Sequence, residues 1–99
     1  MTVLSEDGVP IGERIVPWRE VQRVVAYKRD LITVDQICVD VETEAGVLCL
    51  DEEMSHWKAA IRVLERRLPG FPAEEIWWAE VVAPAFARNE RVLYERVSG

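Results

Sequence analysis

The apolar spacing of this 99-residue chain changes from a period of two to 3.6 past its midpoint, and that change fixes the class of fold open to it. Ile37, Val39 and Val41 alternate with Cys38, Asp40 and Glu42, and Leu48 and Leu50 alternate with Cys49 and Asp51. A period of two belongs to strands with one buried face. From Met54 the period becomes 3.6: Met54, Trp57, Ala60, Ile61, Leu64 and Leu68 fall on one helical stripe. Strands that bury one face need a cover, and a helix with one apolar stripe needs a floor. The pattern predicts an α+β fold in which a long amphipathic helix packs an antiparallel β-meander.

The remaining segments extend this plan. Asp7-Gly8 and Gly12-Glu13 read as turns, with short extended pieces at Val3–Ser5 and Val9–Ile11. Arg14–Trp18 and Val21–Arg29 read as strands, and 30–33 as a turn. Val34–Thr43 and Val47–Asp51 read as a hairpin. Asp51 or Ser55 is expected to cap the long helix, with Glu52 and Glu53 near the positive end of its dipole. Arg66 and Arg67 suit the other end, and Pro69-Gly70 stops it. Pro72 suits the first position of a shorter helix with Glu74 and Glu75 in its first turn, ending before Pro84. Arg91–Val97 reads as a last strand. The chain reads as one domain over residues 1–99.

Charge is distributed unevenly over this plan. The chain carries 18 acids against 12 bases, a net of −6. Asp30, Asp35, Asp40, Glu42, Glu44, Asp51, Glu52 and Glu53 lie in a stretch without a single Lys or Arg, so the rest of the chain sums to +2. The negative charge is thus concentrated on the predicted hairpin. An Ala45-Gly46 turn would oppose Val41 to Leu50. That register sets Asp40 against Asp51, Cys49 against Glu42 and Cys38 against Glu53. Like charges directly opposite cost up to ~1 kcal/mol, so a compensating partner is expected. One source is internal: Arg23, Lys28 or Arg29 from the neighbouring strand, which leaves the face merely solvated. The other is external, a basic protein docked on Asp40, Glu42, Asp51 and Glu53. Carboxylates also suit Ca²⁺ or Mg²⁺, but the D-x-D-x-D-G loop spacing is absent. In this register the two sulfurs lie about four residues apart at ~3.3 Å each, beyond disulfide reach, so both thiols are expected reduced.

Other chemistries leave few traces. No CxxC, HxxxH or second histidine supplies a metal site, and no Walker loop or GxGxxG supplies a cofactor site. A Cys49–His56 nucleophile pair lacks an orienting third group, so no catalytic residue and no enzymatic activity is expected. The acidic balance argues against nucleic acid. Lys58, Arg62, Arg66 and Arg67 make a basic stripe interrupted by Glu65, best read as a solvated helix face. No apolar run approaches the ~20 residues of a membrane span. The start at Met1–Asp7 lacks the pattern of a signal peptide, so a cytoplasmic location is expected. Trp57 reads as core. Trp18 reads as a plug at the end of the sandwich, and Phe86 with Asn89 as a packing connector. Trp77 and Trp78 are ~100° apart on a helix, so one is expected near the surface; both are taken as candidate partner-binding residues, the alternative being that both bury against the sheet. Through them, or through a sheet edge, the chain could form a homo-oligomer.

Val3-Leu4-Ser5-Glu6-Asp7-Gly8-Val9, Pro17-Trp18-Arg19-Glu20-Val21, Glu52-Glu53 and Leu68-Pro69-Gly70-Phe71 resemble a small group of short bacterial proteins of uncharacterised activity. The order of elements is also similar to the first half of pleckstrin-homology-like and GRAM-like domains. The resemblance implies a meander packed by a helix, in the manner of a half-barrel, and implies no activity. Phosphoinositide-binding members use a basic cluster in the first hairpin. Here that region carries Glu6, Asp7 and Glu13 against Arg14, which argues against a lipid headgroup ligand.

Overall fold

The computed structural model describes residues 4–30, 35–82 and 90–96. The turn expected at 31–33, the Phe86–Asn89 connector, Val3 and Val97 lie outside them. The fold is α+β. Strands β1 (Val9–Ile11) and β2 (Arg14–Val16) form a small hairpin. A 3-10 turn (Trp18–Glu20) then leads into β3 (Val21–Asp30), β4 (Asp35–Thr43) and β5 (Gly46–Asp51). Helices α1 (Trp57–Arg67) and α2 (Glu74–Val82) follow, and β6 (Glu90–Glu95) closes the described chain. The larger sheet is antiparallel, in the order β5-β4-β3-β6.

Alternation sorts the side chains of this sheet. Val24 and Ala26 of β3 pair with Val41 and Val39 of β4, and Val39 and Val41 pair with Leu50 and Leu48 of β5. These residues meet Trp57, Ala60, Ile61, Leu64, Trp77 and Val81 of the helices in one core. Each fully buried aliphatic side chain contributes about 1.5–3 kcal/mol. In β6 an extra residue at Leu93 makes a bulge against Val24 and Val25, which lets both Leu93 and Tyr94 pack toward the core. On the small hairpin, a Cβ at Gly8 would collide with the Val16 carbonyl, so glycine is required where β1 begins.

The structure departs from the sequence-based expectations at several places: α2 begins at Glu74 and not at Pro72, Trp18 lies in the 3-10 turn and not in a strand, and three further departures shape the sheet and its cover. First, the hairpin register slides by two residues. The loop is Glu44-Ala45, not Ala45-Gly46, and Val41 opposes Leu48. The cause is Thr43: its Oγ1 accepts the Ala45 and Gly46 N–H groups at 3.1 Å each and donates to the Gly46 carbonyl at 2.8 Å. A two-residue slide keeps every side chain on its face, so the aliphatic pattern could not exclude it. Asp40 consequently opposes Cys49, Asp51 opposes Cys38 and Glu42 opposes Val47. Asp40 and Asp51 are thus diagonal neighbours and not directly opposed, as the expected register had them.

Second, α1 begins later than expected. Its N-cap residue is His56, with no side-chain cap, and no acid lies in its first turn. Asp51 instead accepts the Glu53 N–H at 3.0 Å, and consecutive turns from Asp51 to Trp57 delay the helix. Third, Lys28 points inward. It shares the parity of Val24 and Ala26, pairs with Ile37 and is 1% exposed. Its Nζ donates to the Val82 carbonyl at the end of α2, 2.6 Å away. The basic stripe of α1 is also engaged: Arg66 donates from Nη2 to Glu6 at 2.6 Å, and Arg67 lies 3.7 Å from the same carboxylate. These exposed pairs are worth at most about 1 kcal/mol each.

Candidate functional site

With both helices on the aliphatic side, the opposite face of the larger sheet carries no helix among the described residues. Parity assigns its side chains. From β4 come Gln36, Cys38, Asp40 and Glu42, and from β5 come Val47, Cys49 and Asp51. From β3 come Arg23, Val25, Tyr27 and Arg29, and from β6 come Glu90, Val92 and Glu95. Glu53 joins at the β5 end, where it accepts from Gln36 Nε2 at 3.0 Å. The four carboxylates expected to act together, Asp40, Glu42, Asp51 and Glu53, therefore do share one face.

The structure places the two tryptophans apart from that face. Trp77 is 0% exposed and packs edge-on against Trp57, with ring centroids 6.5 Å apart and planes at 70°. It is a core residue, which corrects its assignment to partner binding. Its neighbour Trp78, 38% exposed, takes the surface position on α2.

Three side chains of β3 supply internal compensation, each of a different kind. Arg23 lies 3.6 Å from Glu42 and 4.0 Å from Glu95, bridging β4 to β6 across β3. Tyr27 Oη donates to Asp40 Oδ1 at 3.3 Å and lies 3.8 Å from Cys49 Sγ. Arg29 Nη2 donates to the buried Cys38 sulfur at 3.3 Å. Both cysteines are free, as expected. They lie closer together than the expected register allowed, on diagonal positions of adjacent strands, where Cα atoms are ~7–8 Å apart and a disulfide would require backbone movement. Tyr27, Glu90 and Glu95 belong to this face yet were not among the expected site residues. The alternation Arg23, Val25, Tyr27, Arg29 in β3 was the available signal.

Burial, the Cys49 hydrogen bond and the Asp40 charge push the Tyr27 phenol well above its usual range. Partial burial of the sulfur raises the Cys49 thiol. Its hydrogen bond to Asp40 and that residue's charge add to the shift, and the Tyr27 hydrogen bond opposes it. Both groups thus keep their protons to higher pH when folded than when unfolded. Above the ordinary thiol range the unfolded chain binds fewer protons, so stability falls as pH rises past about 8.5 on account of Cys49, and further past about 10 on account of Tyr27. The melting temperature is expected to drop over that interval. Tyr27→Phe with Cys49→Ser should flatten the slope, and an equal slope in that variant would rule the pair out as its source.

Among the described residues, no group of three or more His, Cys, Asp or Glu side chains is arranged to hold a metal ion. Among them, no helix is long and apolar enough to cross a membrane. Nothing matches this chain in comparisons with protein-family models, with curated proteins or with solved structures. The reading of the site therefore rests on its own geometry. Among the described side chains the face holds six carboxylates (Asp40, Glu42, Asp51, Glu53, Glu90, Glu95) against two guanidinium groups, a balance of −4. Val47 and Val92 stand exposed at its two sides. A surface of that composition attracts a cationic partner over a Debye length and repels phosphate.

Proposed function

We propose that this chain is a small protein-interaction module whose uncovered sheet face docks a basic protein. The observation that carries the reading is the excess of carboxylates on a sheet face that no helix covers among the described residues. Glu53, Glu90 and Glu95 are its exposed carboxylates, and Glu42 is half-buried beside Arg23. Asp40 and Asp51 serve mainly to set the field, since Asp40 is engaged by Tyr27 and Asp51 by a backbone N–H. An inhibitor or immunity-type protein that covers the basic cleft of a toxin or nuclease is one concrete form. Its carboxylates would occupy the positions of substrate phosphates and raise the association rate. The β3-β4-β5 meander backed by α1 supports a plan akin to pleckstrin-homology-like and GRAM-like domains, used here as a scaffold with no lipid ligand. A reduced, cytoplasmic setting agrees with two free cysteines.

A lysine- and arginine-rich peptide is the probe for this reading. Its affinity should fall at least tenfold, about 1.4 kcal/mol, between low and physiological ionic strength, and again when Glu42→Lys is combined with Glu95→Lys. An affinity indifferent to salt and to both reversals would sink the docking face.

Self-association is the second reading, favoured by Ile76 and Trp78 exposed on α2. It would use the helical side, because two sheet faces of the same negative sign repel. A molar mass that stays monomeric at all concentrations in light scattering would remove it.

A further inference from the structure

A cavity of about 430 Å³ opens between α1 and the start of α2. Its inner wall is the Glu74 carboxylate, the first residue of α2 and only 5% exposed. Glu74 accepts from Trp57 Nε1 at 3.3 Å, from Lys58 Nζ at 3.2 Å and from Arg62 Nη2 at 3.3 Å. Arg62 Nη1 also donates to Glu65 at 2.6 Å, and Glu65 in turn accepts the Glu74 N–H at 3.2 Å. Both cations of the groove are thus neutralised by Glu74 and Glu65. Two further carboxylates line it, Glu52 and Glu75. Glu52 accepts the Ile37 N–H at 3.2 Å, and neither makes an ion pair among the described residues. Trp78 supplies a partly exposed indole beside them.

Two carboxylates that make no ion pair among the described residues, next to a partly exposed indole, match one chemistry. A guanidinium stacks flat on an indole and bonds a carboxylate with its planar fork at the same time. An anion fits poorly. It would draw Lys58 and Arg62 away from Glu74, strand a buried carboxylate, and sit beside Glu52 and Glu75. The volume exceeds that of one side chain and lies in the ~300–1,000 Å³ range of ligand clefts, so an arginine with its adjoining backbone can enter. We propose that the groove receives an arginine side chain of the partner, with the guanidinium on Trp78 and paired to Glu75 and Glu52. This rests on the reading above that the partner is basic, but it uses the opposite side of the molecule from the sheet face.

The test is a titration followed by amide and indole NH shifts, using an acetylated, amidated glycine peptide with one central arginine. The same peptide with citrulline, a neutral near-isostere, is the control. Saturable shifts at the Trp78 indole and Glu75 amide are expected with arginine, and binding at least tenfold weaker with citrulline. Trp78→Ala and Glu75→Gln should each weaken the arginine peptide about two- to fivefold. Equal shifts with both peptides, or shifts that survive both substitutions, would overturn the proposal. So would shifts produced by inorganic phosphate at the same residues, or shifts that follow protein concentration and not peptide. The Glu42→Lys/Glu95→Lys protein separates the two readings. If it still titrates with the arginine peptide, the groove stands independently of the sheet face. If the sheet face binds basic peptide in a salt-dependent way while the groove shows no arginine-specific shift, the groove assignment alone fails.

Discussion

Trp77→Ala is expected to lower the free energy of unfolding by about 3–5 kcal/mol, whereas Trp78→Ala should change it by no more than about 0.5 kcal/mol. The two residues are adjacent on α2, yet the first is wholly enclosed and the second is partly in solvent. Removing Trp77 deletes the largest fully buried side chain and the edge-on contact with Trp57. That contact alone is worth about 0.5–1.5 kcal/mol beyond its area. The indole Nε1 of Trp77 has no hydrogen-bond partner among the described residues. Trp77→Phe therefore removes an unsatisfied buried donor together with part of the ring, and should cost less than half of what alanine costs. Urea denaturation of the three variants measures this ordering. A Trp77→Ala protein within 1 kcal/mol of the unsubstituted chain would refute the placement of Trp77 in the core.

The contrast between these neighbours shows where periodicity stops being informative. A helical stripe places Trp77 and Trp78 on different faces, but only the position of the sheet decides which face is inside. The α2 sequence adds little, because Ile76, Trp77, Trp78, Val81 and Val82 surround much of the helix. The α1 stripe, by contrast, named four of the five buried residues of the helix, Trp57, Ala60, Ile61 and Leu64, and missed only Val63. The start of α1 was less legible because the acids that resemble a helix N-terminus are used in turns. In the hairpin, the faces were legible and the register was not. Period two is blind to a slide of two residues, and the decision passed to one hydroxyl, that of Thr43. The consequence for the candidate site is large, because the slide turns an opposed Asp40–Asp51 pair into two carboxylates each facing a thiol. The cations that share the face came from β3, as expected for Arg23 and Arg29. Lys28 differed, and its own parity indicated so: it falls in step with Val24 and Ala26.

That inward lysine carries the second large effect. Lys28→Ala is expected to cost about 3 kcal/mol, Lys28→Met about 1–2 kcal/mol, and Lys28→Glu the most of the three. Alanine removes three buried methylenes at about 0.8 kcal/mol each and leaves the Val82 carbonyl without its ammonium donor. Methionine keeps the length of the stem, so it loses the donor but little packing, and it also relieves the burial of a charge. Glutamate brings a carboxylate to the negative end of α2, where both the Val82 carbonyl and the helix dipole oppose it. The series separates two roles for the residue. If Met and Ala are equally costly, the polar contacts of the ammonium, that to Val82 among them, dominate. If Met is nearly neutral, Lys28 acts mainly as a buried aliphatic stem with its charge anchored on the last turn of α2. In both cases the loss should appear first in α2, because Lys28 joins the central strand to that end of the helix. Hydrogen exchange should then rise earlier in Glu74–Val82 than in β4, and uniform exchange across both would contradict that link.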